Sequence, residues 1–276
     1  MTAWRFARQW SVALIFFAAS AGAFAQASVK SESKSEFQPE VGQEGKDVVW
    51  VPTPEELVQK MLDMAKVTAK DFVIDLGSGD GRTVIAAAKR GARALGIEYN
   101  PNMVELSRRN AEKAGVADRA KFEQADLFKT DLSRATVITM FLLTDINLRL
   151  RPTLLALKPG TRVVSNTFRM GDWQPDETAE LGCNSYCTAY FWLVPARVEG
   201  TWKTGQGELV LKQKYQTFTG SLGSGANSSP VQRGRVRGDQ ISFVAGGAEY
   251  RGRVGDKLID GTVKSGSKSE GWKATR

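Results

Sequence analysis

Three observations predict an α/β protein with a doubly wound parallel sheet, followed by a small antiparallel β domain. Short apolar runs alternate with helical segments between residues 51 and 165. A glycine-rich turn joins the first apolar run to the helix after it. From Arg197 onward the composition changes: 15 of the 27 glycines and 14 basic against 7 acidic residues fall in the last 80 positions.

The elements follow in order. Arg5 and Arg8 precede an apolar stretch beginning at Trp10, and Ala23-Phe24-Ala25 satisfies the small-x-small rule for cleavage before Gln26. The stretch is short for a span of about 20 residues, so residues 1–25 are expected to be a signal peptide, with export to a bacterial periplasm; the alternative is an uncleaved membrane anchor. Residues 26–47 are polar and are expected to form a flexible leader. Thr53-Pro54-Glu55-Glu56 predicts an N-cap, a proline at N1 and a capping-box glutamate. Leu57, Val58, Met61, Leu62 and Ala65 then fall on one helical face.

Phe72-Val73-Ile74-Asp75-Leu76 has the continuous apolar character of a strand buried on both faces. A helix carrying Val84, Ile85 and Ala88 stops at Gly91. Ala94–Glu98 is a second strand, and Asn100-Pro101 opens a helix that ends at Gly115. Strands at Ala120–Gln124 and Thr136–Leu142, a helix at Ile146–Leu157, and strands at Thr161–Ser165 and Thr188–Val194 complete residues 48–196.

Composition excludes several chemistries. The 276 residues are 42% hydrophobic and 25% charged, which rules out disorder throughout. The chain has no histidine and two cysteines. Ser-His-Asp triads and His- or Cys-built transition-metal sites are therefore excluded, and no metal is expected.

The chemistry concentrates at Asp75-Leu76-Gly77-Ser78-Gly79-Asp80-Gly81-Arg82. Ligands of such sheets sit at the carboxyl ends of the strands, beside this turn. A dinucleotide turn, G-x-G-x-x-G, would need glycine at 82, where the chain has arginine. The observed G-x-G-x-G, with an acid two positions before it, suits a ligand without pyrophosphate whose amino group faces Asp75. Glu98 ends the second strand 23 residues on, where a carboxylate accepts ribose hydroxyls. Asp126 follows the third strand, where a carboxylate accepts an adenine amino hydrogen.

These residues resemble the class I S-adenosylmethionine-dependent methyltransferases over about 51–195. The resemblance is closest to the subgroup that includes the lysine methyltransferases of ATP synthase c subunit and adenine nucleotide translocase. Val51-Pro52-Thr53-Pro54, the 75–82 turn, Gly96-Ile97-Glu98-Tyr99-Asn100, Phe141-Leu142-Leu143 and Trp173-Gln174-Pro175-Asp176 carry the closer match. It implies a Rossmann-like doubly wound sheet, S-adenosylmethionine as cofactor, and methyl transfer to an acceptor such as a protein lysine. Asp75, Gly77, Ser78 and Gly79 would hold the methionine portion, Glu98 the ribose, and Asp126 with Leu127 the adenine. Asp80 is either structural or close to the cofactor. Thr53 and Pro54 resemble a segment folding over it, although capping alone explains Thr53.

Acceptor-orienting candidates after the fourth strand are Thr144, Asp145 and Asn147, with an N-cap role preferred for Asp145. The Asn/Asp-Pro-Pro-Tyr motif of amide and adenine-base methyltransferases is absent there, which weighs against nucleobase acceptors. Phe168 and Trp173 are aromatic-wall candidates beside an amine, with core packing preferred. Cys183 and Cys187 suit a small disulfide in an oxidising compartment.

Residues 197–276 carry +7 of the net charge of +8, and Arg233-Gly234-Arg235-Val236 recurs as Arg251-Gly252-Arg253-Val254. Repeated hairpins follow, with a basic face suited to an anionic envelope surface or acidic partner. Export argues against nucleic acid. It also separates the chain from the compartment that makes S-adenosylmethionine. The alternative function is thus a repurposed cofactor-binding fold whose β module adheres to the envelope. A dinucleotide enzyme is disfavoured by Arg82.

Overall fold

A computed structural model describes residues 37–183 and 185–276; the expected signal peptide and residues 26–36 of the leader lie outside them. The first helix, α1 (Glu55–Met64), is followed by β1 (Phe72–Leu76), α2 (Arg82–Lys89), β2 (Arg93–Glu98), α3 (Pro101–Lys113) and β3 (Ala120–Gln124). Then come β4 (Val137–Met140), α4 (Thr144–Leu155), β5 (Arg162–Asn166), β6 (Glu177–Glu180) and β7 (Thr188–Leu193).

The seven strands lie in the order β3-β2-β1-β4-β5-β7-β6. The first five are parallel, and β7 runs antiparallel between β5 and β6. The chain winds outward from β1 to β3 and then returns to β4, so the switch point lies between β1 and β4. One face packs Leu57, Val58, Ala87, Val104 and neighbours on the sheet; the other packs Ile138, Leu150, Trp173 and Trp192. Strand β6 carries no sequence signal, because Glu-Thr-Ala-Glu is an exposed edge without apolar alternation.

Two helix starts differ from expectation. Pro54, not Thr53, occupies the N-cap of α1 and makes no side-chain cap, because its ψ of 139° is still extended. The Thr53 hydroxyl instead accepts from the Asn166 amide at 3.3 Å. Helix α4 starts at Thr144 with Leu143 as N-cap, so Asp145 sits in the first turn and caps nothing.

The C-terminal residues form eight antiparallel strands: β8 (Gly200–Thr204), β9 (Gly207–Lys214), β10 (Thr217–Gly223), β11 (Ser229–Arg237), β12 (Gln240–Ala245), β13 (Ala248–Val254), β14 (Leu258–Ser265) and β15 (Lys268–Thr275). They close into a barrel, β8 pairing with both β9 and β15. Inside, Phe243 stacks on Tyr250 at 4.7 Å, and Trp272 meets both rings edge-on. A Cβ at Gly261 would collide with the Arg251 carbonyl of the neighbouring strand, which explains one of the many glycines.

The barrel docks on the segment before β6. Tyr215, in the β9–β10 turn, stacks on Trp173 with centroids 6.0 Å apart and donates to Asp172 at 2.8 Å. Trp173 is therefore core, completely buried between Trp192 and Tyr215, and not a wall of the site. Arg235 pairs with Asp176 at 2.6 Å and Arg237 with Glu177 at 2.7 Å. Arg235 of the first repeated motif and Arg237 just after it, on a face expected to meet an external partner, thus bind the barrel to the sheet.

The Asp176 side chain is only 2% exposed and also accepts the Leu193 N–H at 2.9 Å. Asp176→Ala should lower stability by about 1–3 kcal/mol in urea unfolding, because both donors lose their acceptor. Glu177→Ala, whose pair is half exposed on both sides, should change it by less than about 0.5 kcal/mol.

Candidate active site

The turn after β1 is held from the neighbouring strand. The N–H groups of Gly77 and Ser78 both donate to the Ile97 carbonyl, at 2.9 and 3.0 Å. Glu98, at the end of β2, accepts the Gly79 N–H on one oxygen at 2.9 Å and the Asn100 N–H on the other at 3.0 Å. Ser107 of α3 donates to the Gly79 carbonyl at 2.8 Å. Gly79 has φ +55°, and a Cβ there would lie 2.7 Å from the Trp50 indole nitrogen.

Asp75 is buried, and one of its oxygens accepts the Thr139 hydroxyl at 2.7 Å. Burial pushes its carboxyl up to about 7; Glu98 and Asp80 add to this, against the Thr139 hydrogen bond. Asp126 accepts from the Lys46 ammonium at 3.0 Å and from the Phe128 N–H at 3.0 Å. Those two bonds, Lys46 first, hold it below the usual carboxylate range. Asp80 also lines the cavity at this edge of the sheet, and both its oxygens accept from the Arg82 guanidinium, which in turn donates to the Thr53 carbonyl at 2.9 Å.

Asp75, Gly77, Ser78, Gly79, Glu98, Asp126 and Leu127 all line one cavity of about 490 Å³ at the carboxyl edge of the sheet. The Ser78 side chain packs over Gly96, where a Cβ would collide with it, so Ser78 offers the cavity mainly backbone. Thr144, Asp145 and Asn147 do not line the cavity. Asn147 is buried behind it and donates to the Phe168 carbonyl at 3.1 Å, which positions the loop after β5.

Thr53, one of the two residues resembling a segment folding over the cofactor, lines the cavity and Pro54 does not; most other lining residues were not apparent in the sequence. Residues 43–53 run along the cavity as a strap. Gly42 N–H donates to the Trp50 carbonyl, Trp50 N–H to the Gln43 carbonyl, and Glu44 bridges Val49. Residues 41–47, expected to be part of a flexible leader, are therefore folded: hairpin bonds pair the Gly42 and Gly45 N–H groups with the returning chain, and the Lys46–Asp126 pair ties it down. Phe141 and Tyr186 also line the cavity, beside the expected Phe168. Cys183 and Cys187 are bonded, with Cα atoms 5.8 Å apart, and close the loop that carries Tyr186.

The donors and acceptors fit S-adenosylmethionine. The positive-φ glycines 77 and 79 leave open backbone, and three carboxylates stand where an ammonium, two ribose hydroxyls and an adenine amino group would need acceptors.

A family model described as the ANTKMT methyltransferase domain matches residues 75–177. A protein-lysine N-methyltransferase of Saccharolobus islandicus is 45% identical over 53% of this chain and 94% of its own length. The Mus musculus lysine N-methyltransferase of the ATP synthase c subunit is 36% identical over 49% of this chain; the match spans 55% of the mouse protein. A solved structure of an RNA methyltransferase from Salinibacter ruber, in complex with S-adenosyl-L-homocysteine, is 49% identical, with a TM-score of 0.51 over 54% of this chain and 96% of that one. With a relative matched over nearly its whole length and a carboxyl-edge cavity of the right chemistry, the chain belongs to the class I S-adenosylmethionine-dependent methyltransferases.

Proposed function

We propose that this methyltransferase modifies lysine side chains of a protein in the bacterial envelope, with Asp75, Glu98 and Asp126 as the cofactor-binding carboxylates. The observation that carries the reading is their convergence, from the ends of three adjacent strands, on one cavity. The names of the protein-lysine relatives support the acceptor. The N-terminal segment supports export, and the surplus +7 of residues 197–276 supports apposition to an anionic surface.

When bound, S-adenosylmethionine supplies an electrophilic methyl group on a positively charged sulfur. The protein's part is positioning. Asp75 accepts the amino group of the methionine tail from beneath the Gly77–Gly79 backbone. Glu98 keeps its two backbone N–H bonds and accepts the ribose hydroxyls with its remaining lone pairs. Asp126 and Leu127 hold the adenine, and the strap covers that end and excludes water. A lysine acceptor reaches the cavity as a cation of ordinary pKa about 10.4 and must lose a proton before it attacks. Holding amine and methyl in near-attack geometry supplies much of the acceleration.

Asp75 gives this reading a signature of opposite signs. Its folded pKa, raised to about 7, lies above an unfolded value of about 3.9. Its ionisation therefore destabilises the ligand-free fold progressively as pH rises from about 4 to 7, and no further above that. Asp75→Asn should raise the ligand-free melting temperature by several degrees at pH 8, leave it nearly unchanged at pH 4, and abolish S-adenosylhomocysteine binding in calorimetry. In the unaltered protein, affinity should rise with pH between about 5.5 and 7 as Asp75 ionises, then level off.

The acceptor and location are tested together. Labelled S-adenosylmethionine incubated with an envelope extract should place label in protein, in a form recovered as methyl-lysine on hydrolysis. Label recovered in RNA, as the name of the Salinibacter ruber enzyme would suggest, would overturn the lysine assignment. Intact mass of the chain recovered from a bacterial periplasm should correspond to a start at Gln26; an unprocessed chain retained in the cytoplasm would overturn export.

A further inference from the structure

The order of strands gives the cavity two distinct ends. Asp126 follows β3, Glu98 ends β2 and Asp75 lies in β1, while Phe141 follows β4 and Phe168 follows β5. At roughly 4.8 Å per strand, β3 and β5 are separated by about 19 Å along the carboxyl edge. The three carboxylates occupy one side of the switch point. The far side, at β4 and β5, carries no charged group among the cavity-lining residues Met140, Phe141, Leu142, Leu143, Ile146 and Phe168.

What it carries is aromatic. Phe141 stacks on Phe168 with centroids 6.1 Å apart and an interplanar angle of 24°. Tyr186 meets Phe141 edge-on at 5.2 Å and 61°. All three rings line the cavity, and Tyr186 remains 40% exposed at its mouth. Tyr186 reaches this position from outside the parallel sheet, in a left-handed backbone conformation at φ +56°. That conformation is uncommon for a tyrosine, and the adjoining Cys183–Cys187 bond closes the loop that contains it. The loop enters β7 at Thr188, and β7 pairs with β5, which leads into Phe168.

We propose that Phe141, Phe168 and Tyr186 form the acceptor subsite, a three-walled aromatic frame for an alkylammonium group, and that the Cys183–Cys187 bond positions its third wall. The inference rests on the lysine reading above and names the residues that recognise the acceptor. A lysine nitrogen is cationic before it gives up its proton, and a trimethylated nitrogen is permanently so. The faces of aromatic rings attract both, and most strongly where water is excluded. A frame without carboxylates binds the cation without an ion pair, so the proton can leave to water without breaking one. Phe168 acts here as a wall residue, fixed from behind by its carbonyl, which accepts from Ser165 at 2.7 Å and Asn147 at 3.1 Å.

The test is binding, followed by NMR titration of the full chain saturated with S-adenosylhomocysteine. The probes are Nα-acetyl-Nε-trimethyl-lysine and its uncharged isostere with carbon replacing the quaternary nitrogen. The unaltered chain should bind the cation at least about fivefold more tightly than the isostere. Tyr186→Ala should weaken cation binding by about tenfold, while Tyr186→Phe, which keeps the ring, should stay within about threefold. The double variant Cys183→Ser with Cys187→Ser should fall between them, because the ring is present but no longer held. S-adenosylhomocysteine affinity should change less than about twofold in all three variants, since the carboxylate end is untouched.

Equal binding of the two probes, or a Tyr186→Ala variant that binds the cation as well as the unaltered chain does, would overturn the subsite. S-adenosylhomocysteine binding without any probe binding would overturn this inference alone. Failure of the unaltered chain to bind S-adenosylhomocysteine would overturn the cofactor assignment, and the subsite with it.

Discussion

The site depends on one carboxylate that serves two turns at once. Glu98 takes the N–H of Gly79 from the β1–α2 turn and the N–H of Asn100 from the β2–α3 turn. Each turn leads into a helix, so each presents backbone donors without intrahelical partners. Satisfying one from each with a single side chain fixes the spacing of two helix entrances at the edge where the ligand binds. Accepting ribose hydroxyls there would require no rearrangement of Glu98, because its orientation is already set by backbone.

Asp75 stands in the opposite relation to stability. A carboxyl placed beneath a glycine turn, with one neutral hydroxyl donor and two other acids nearby, is poorly stabilised as an anion in the ligand-free fold. A cationic ligand supplies the missing partner. On the proposed assignment, the same burial that weakens the ligand-free fold makes the site discriminate for a positively charged amine. Asp126 solves its exposure differently: Lys46 neutralises it from the strap, so that end of the cavity is electrostatically balanced before any ligand arrives.

How much of this was legible in the sequence depended on distance along the chain. The strand at Ala120–Gln124 and the carboxylates at 75, 98 and 126 followed from local signals: continuous apolar runs, glycine spacing, and acids at strand ends. The N-cap expected of Thr53 failed because the residue answers to Asn166, 113 positions away, and not to its own helix. The strap was hidden because residues 41–47 are polar and become ordered only through a partner such as Asp126, 80 positions from Lys46. The repeated arginine motif pointed to hairpins, but the full set of barrel strands was not marked, for another reason. In a closed barrel only alternate residues point inward, and here several of those positions are glycine or alanine, so the apolar signal per strand is thin.

The two missed pieces of the site share a physical origin that bears on specificity. The α/β sheet supplies the carboxylates of the cavity, and segments outside it wall the rest: the strap, tied at Lys46 to Asp126 after β3 and at Thr53 to Asn166 of β5, and the disulfide-closed loop beside Phe141. Neither segment has a hydrophobic core of its own, and each is held by a few long-range or covalent ties. Such segments can change in sequence without disturbing the sheet, because little of the buried core depends on them. The aromatic end of the cavity can therefore be altered independently of the carboxylate end. On the proposed assignment, the ring at position 186 and the bond that holds it are where one enzyme of this fold would come to accept a different amine.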